Sequence, residues 1–388
     1  MQKLRFYRPA AAAFIVMMAM ALTSSGMSFF ISPVCADLGF GRGSFTVYYS
    51  LLTASGALSN LVLGQYINKK GARSVLLISA VWCCLCYMLF SVSNALWMFY
   101  LAGASIGFFS TSCAILCANV MVQQSYDSKT AAGILGIVMA GSGAGGALFS
   151  LIIPSLIESM GWRFTYRFMG FCWLALVSLA WLVLGKPVQV KRGTAAAPAE
   201  GVTKADAMKM PSFYLMLVVA FLLGAGCSVQ QQMPSLIGAH SFTSAQIGTM
   251  MSLATAMMAL GKAGQGILYG KIGVSKGALL MLPVFAIGMP LFMFKAAIYP
   301  ALALTSVGLG TYTTLLPMVT RKVFGSREYA AIWGMIAMAG SAGTFMLNPV
   351  WGTIYDNTGA YTLGLVAVPA MVLMGLVTLL MALRKAKN

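Results

Sequence analysis

Between Ser252 and Lys276 the chain reads SLATAMMALGKAGQGILYGKIGVSK. The run opens as a long stretch of apolar and small residues, the signature of a buried or membrane helix, and then places Lys262 ahead of the basic loop at Lys271. Of the 25 Lys and Arg residues, Lys262 is the one that cannot be moved into a connection or to a helix end. A cation deep in a membrane span costs about 2.5–3.5 kcal/mol on insertion scales, so such a residue faces a water-filled cavity or a charge partner. The competing reading is a lysine whose long stem lets its ammonium snorkel to the interface.

Composition agrees with a chain built for lipid. Hydrophobic residues make up 60% and charged residues 8%, against roughly 25% charged in soluble domains. The net charge of +18 is spread as short clusters between long apolar runs, which is not the single basic face that nucleic acid requires. No nucleic-acid partner is expected. The eight cysteines sit in apolar runs or at their edges with no His at metal spacing, and read as small hydrophobes; neither a metal nor a cofactor is expected.

A spanning helix needs about 20 apolar residues, and twelve such runs separate: 10–33, 44–67, 74–93, 95–122, 130–157, 164–185, 212–238, 243–269, 275–295, 297–321, 327–354 and 360–383. Counted over the connections, twenty Lys and Arg fall on the side of the N-terminus and four on the other. That bias places both termini in the cytoplasm of a plasma or inner-membrane protein. Residues 186–211, GTAAAPAEGVTKAD at their centre, form a small, Pro-containing linker between six-helix halves at 1–185 and 212–388.

The halves repeat. Gly64, Asn68, Lys69, Gly71 and Arg73 between spans 2 and 3 recur as Gly266, Gly270, Lys271, Gly273 and Lys276 between spans 8 and 9. Ala131-Ala132 followed by Met139-Ala140-Gly141-Ser142 recurs as Ala330-Ala331 followed by Met338-Ala339-Gly340-Ser341, at an offset of 199 residues.

Two six-span halves with a Gly-basic-Gly loop after each second helix resemble the major facilitator superfamily, whose halves enclose a site at the membrane midplane. Three stretches narrow the likeness: Ser25–Ser44 (SGMSFFISPVCADLGFGRGS), Ala132–Gly146 (AGILGIVMAGSGAGG) and Met160–Tyr166 (MGWRFTY) resemble the monocarboxylate transporter and oxalate:formate antiporter family. Gly261-Lys262 stands where that family carries a cation in span 8. The fold implied is all-α, a polytopic protein of twelve transmembrane helices in two pseudo-repeats. The chain departs from the family at Ser24, where animal members carry a lysine, at Met258, where they carry an acid, and in span 11, which lacks the second cation of the oxalate carriers.

The residues add to that likeness. All seven acids fall in connections or at helix ends, so no embedded carboxylate stands ready to carry a proton or bind Na⁺. One buried positive charge neutralises one carboxylate, which favours a monoanion. Tyr49 in span 2, Gln230 in span 7 and Tyr312 in span 10 join Lys262 as candidate substrate ligands; for each the bland alternative is helix-to-helix hydrogen bonding. Gly141, Gly145 and Gly340 read as small residues that let helices pack closely, span 5 meeting a helix of the other half. The expected function is a monomeric carrier of a small organic anion, by exchange or cotransport, with an exporter of drugs or amphipathic compounds as alternative. No enzyme constellation is present.

Overall fold

A helix satisfies its own backbone hydrogen bonds, which is why apolar runs of this length adopt it where water is absent. The structure is a computed structural model describing residues 2–70, 72–126, 128–185, 201–325 and 327–385. Among these residues the regular elements are helical.

In the first half, α1 (Gln2–Ser24) continues through a 3₁₀ turn (Gly26–Phe30) into α2 (Ile31–Leu38), giving one interrupted rod. Then come α3 (Arg42–Lys70) and α4 (Ala72–Val92). The next rod joins α5 (Leu96–Thr111) to α6 (Cys117–Ser125) through a π-helical turn (Ser112–Leu116). α7 (Ser128–Leu184) is two rods in one, because Gly161 at φ 80° turns the chain between them. Only glycine holds that backbone without strain.

The second half begins with the short α8 (Lys204–Ala207), then α9 (Pro211–Cys227) and α10 (Val229–Gly238), a rod interrupted at Ser228. It continues with α11 (Ser244–Ile272), α12 (Val274–Gly288), α13 (Ile298–Phe324), α14 (Tyr329–Thr358) and α15 (Thr362–Lys385). Among the described residues eight helical segments are long and apolar enough to cross a membrane, and the one from Ile134 to Leu184 has the length of two spans. The other long helices, α3, α11 and α14, are interrupted by Gly, Ser, Thr, Asn and Gln. Of these, α3 and α11 hold equivalent places in the two halves.

The chain divides into two compact units, residues 1–193 with 242–252, and 194–241 with 253–388. The first is cored by aromatic rings. Tyr166 stacks on Phe30 with centroids 3.8 Å apart and lies 5.1 Å from Phe90, while Tyr87 hydroxyl bonds to Thr23 Oγ1 at 3.1 Å. One corner of it is tied by Arg163, whose guanidinium donates to the carbonyls of Ser91 (3.2 Å) and Ser93 (3.3 Å) and to Asn94 Oδ1 (2.7 Å). Trp162 Nε1 donates to Asp37 Oδ2 at 3.0 Å.

The second unit is pinned by Trp351, fully buried, whose indole N–H donates to Ser228 Oγ at 2.8 Å at the interruption between α9 and α10. The end of the linker docks on this unit. Val202 N–H donates to the Phe324 carbonyl (3.0 Å) and Lys204 N–H to Glu328 Oε2 (2.7 Å).

Span 5 meets span 8 of the second half, as expected, where a Cβ on Gly248 would lie 2.6 Å from the Ser150 carbonyl, but Gly141 and Gly145 are not the residues of that contact. A Cβ on Gly141 would sit 2.6 Å from the Phe14 carbonyl oxygen, and one on Gly145 would meet the Met18 carbonyl. Both glycines therefore lie against α1 of their own half. The second half repeats the arrangement: Gly343 meets the Phe221 carbonyl, and Gly224 meets the backbone of Gly340, so α14 lies on α9. The backbones approach closely because no side chain separates them.

Candidate functional site

In the second unit Lys262, Cys227 and Tyr312 converge from three helices. Lys262 is half-buried on α11, and its stem runs along α13: a Cβ on Gly310 would lie 3.0 Å from Lys262 Cγ. One residue earlier Gly261 faces Val307, whose Cα a Cβ there would approach to 3.1 Å. The glycines on both helices let them come together and channel the lysine stem between them.

Two residues beyond Gly310, Tyr312 rests its hydroxyl on Gly340 of α14, and the backbone of Gly340 in turn meets Gly224 of α9. Cys227, the last residue of α9, lies within electrostatic reach of both Lys262 and the Tyr312 hydroxyl. The Tyr312 hydroxyl has no hydrogen-bond partner among the described residues.

Among the described residues no carboxylate forms a salt bridge with Lys262, and the five described acids, Asp37, Glu158, Asp206, Glu328 and Asp356, are all exposed. Asp127 and Glu200 lie outside the described residues. A half-buried ammonium, a phenol hydroxyl and a break in a helix make an arrangement suited to an anion with hydrogen-bond acceptors. No group of three or more His, Cys, Asp or Glu side chains is placed to hold a metal ion among the described residues.

The remaining candidates fall elsewhere. Gln230 is half-buried at the head of α10, three residues past Cys227, whereas Gln231 and Gln232 beside it are buried. Tyr49 is half-buried on α3 and belongs to the first unit; its carbonyl accepts from Thr53 Oγ1 at 3.0 Å. Of the loop motif, Gly71 and the side chains of Asn68 and Lys69 lie outside the described residues, and Gly64 belongs to α3. Arg73 is described, with its guanidinium 4.1 Å over the Trp181 ring. In the second copy Gly273 at φ 81° leads into α12. His240 Nε2 donates to the Phe292 carbonyl at 2.7 Å, which makes it a tie between chain segments.

Two residues of this region escaped the sequence reading. Cys227 passed as one apolar cysteine among eight, although its place in the small-residue run Gly224-Ala-Gly-Cys-Ser228 marks the interruption of the rod. Gln265, one turn after Lys262, is buried and bonded to α13; its i, i+3 spacing from the lysine was the available signal.

Comparison with known proteins places the chain. The family model of the Major Facilitator Superfamily matches residues 11–347. The nitrite extrusion protein of Bacillus subtilis is 22% identical over 89% of this chain and 87% of its own length. Human monocarboxylate transporter 12 is 22% identical over 68% of this chain and 59% of its own. The aspyridones efflux protein of Emericella nidulans is 26% identical over 55% of this chain, a match spanning 43% of that protein. Among solved structures, a variant of the nucleoside transporter NupG superposes with a TM-score of 0.81 at 14% identity, covering 97% of this chain and 99% of that one. At that identity the likeness speaks for the fold.

Proposed function

The chain belongs to the major facilitator superfamily, and from that premise we propose that this transporter is a secondary carrier of small monoanions, monocarboxylates foremost. The observation that carries the reading is Lys262: a half-buried ammonium on a membrane helix with no carboxylate beside it among the described residues. A cation so placed is stabilised when an anion arrives and destabilised when it leaves, which is what a carrier's binding site must do reversibly. One ammonium matches one carboxylate. Tyr312 supplies a hydroxyl to the second oxygen or to a substituent of the acid, and Gln230, three residues past Cys227, adds an amide. The site opens to either side in turn, in a plasma membrane with both termini cytoplasmic. A relative whose name is a nitrite extrusion protein and another named a monocarboxylate transporter support a monoanion.

Counterflow tests the reading. Proteoliposomes preloaded with formate, lactate, pyruvate or oxalate are supplied with the same acids in labelled form, wild type beside Lys262→Gln. Saturable exchange of a monoacid, lost in the variant at equal folded yield, is expected. Exchange that survives in Lys262→Gln would remove the lysine from the site.

A second reading, export of amphipathic compounds, is favoured by the efflux relative and by the 29 methionines, whose flexible side chains build permissive pockets. It predicts broad substrates and tolerance of Lys262→Ala.

A further inference from the structure

Gln265 is 2% exposed in the interior of the second unit, and it joins α11 to α13. Its Nε2 donates to the Val307 carbonyl (2.8 Å) and to Thr311 Oγ1 (3.0 Å), and its Oε1 accepts from Thr314 Oγ1 (2.8 Å). Both amide hydrogens are therefore used, and no donor is left for a substrate.

Thr314 Oγ1 also contacts the Gly310 carbonyl of its own helix at 3.0 Å, whereas the bonds of the Gln265 amide all cross to α13. What it adds is a fixed relation between α11 and α13.

That relation matters on the turn that carries Lys262. There contact is made through glycine: Gly261 faces Val307, and Gly310 faces the Lys262 stem. Glycine surfaces are smooth, so a shift of one helix along the other meets few interlocked side chains. Lys262 lies one turn before Gln265 on α11, and Tyr312 lies between the two threonines on α13. A slip at the clamp changes the distance between ammonium and hydroxyl directly.

We propose that Gln265 is a positioning residue that sets the register of α11 against α13, and thereby the spacing of Lys262 and Tyr312 for a bound monoanion. The inference rests on the anion reading of the site given above. It assigns Gln265 no contact with the substrate. Its loss should weaken binding while leaving the turnover of bound substrate intact.

The test uses the full-length protein in proteoliposomes and counterflow of labelled formate, lactate and pyruvate, followed with whichever acid the wild type exchanges. Four variants are compared: Gln265→Leu, the pair Thr311→Val with Thr314→Val, the combination of all three, and Lys262→Gln. Gln265→Leu is expected to raise the half-saturation concentration about tenfold, equivalent to about 1.4 kcal/mol, with the maximal rate within about threefold of wild type. The combined variant should be no worse than Gln265→Leu, because one clamp can be lost only once.

A wild-type half-saturation concentration in Gln265→Leu, with Lys262→Gln inactive, overturns the positioning role and leaves the anion site standing. Should Gln265→Leu fail to fold, the threonine pair decides: a raised half-saturation concentration supports the clamp and an unchanged one overturns it. Wild-type exchange in Lys262→Gln, or no exchange of any acid by folded wild type, overturns the anion reading and this inference with it.

Discussion

The hydroxyl of Tyr312 stands where a Cβ on Gly340 would lie, so that the phenol of α13 occupies the space a side chain on α14 would need. Gly340 is also where Gly224 of α9 makes its backbone contact. Three helices thus meet at a residue without a side chain, beside the interruption of the α9–α10 rod.

Gly340→Ala is accordingly expected to push Tyr312 from its place and to lower transport at least about tenfold. Overpacking at such a point costs about 1–3 kcal/mol. Counterflow beside a thermal melt in detergent checks it: a normal rate with an unchanged melt would show that Tyr312 moves aside freely.

Gly141→Val should destabilise the first half. Its Cβ would lie 2.6 Å from the Phe14 carbonyl, and backbone cannot yield as a side-chain tip can. A loss of about 1–3 kcal/mol is expected, read as a lowered melting temperature, with wild-type stability as the contrary result.

Cys227 should be the cysteine whose alkylation stops transport. It neighbours both Lys262 and Tyr312, whereas Cys83, Cys113 and Cys117 are fully buried within the first unit. Treatment with a small maleimide is expected to inhibit the wild type, to spare Cys227→Ser and to act more slowly when transported acid is present. Equal inhibition of Cys227→Ser would place the sensitive thiol elsewhere.

Arg163→Ala removes three donated bonds that tie the start of the second α7 rod to the connection between α4 and α5. Hydrogen bonds to a charged group contribute about 1.5–3 kcal/mol each, fewer where water can replace them. A lower melting temperature with an unaltered half-saturation concentration is expected. A change in affinity without a change in melting would contradict this corner role.

Lys262→Arg tests whether charge alone is enough. The guanidinium is broad and planar, while the lysine stem runs over Gly310 with its Cγ 3.0 Å from where a Cβ would be. Partial exchange with a raised half-saturation concentration is expected, and full wild-type kinetics would argue that the stem's fit along α13 does not matter.

The sequence by itself determined the membrane class, the long apolar runs, the repeated halves and the isolation of Lys262 among the cations. These follow from properties additive along the chain: hydropathy needs no partner, a repeat is a comparison of the chain with itself, and a charge in an apolar run is costly wherever that run packs. The tertiary structure decided which faces meet. Helical spacing marks Gly141, Gly145 and Gly340 as small positions, but periodicity describes a face and not its neighbour: span 5 does meet span 8 of the second half, yet through Gly248 against Ser150, while Gly141 and Gly145 turn to α1. The packing against α1 became visible only when Phe14 and Gly141, 127 residues apart in the chain, were brought together. Gln265 was overlooked for the same reason. Its partners Val307, Thr311 and Thr314 are 42 to 49 residues away, on a helix whose orientation nothing local to Gln265 encodes.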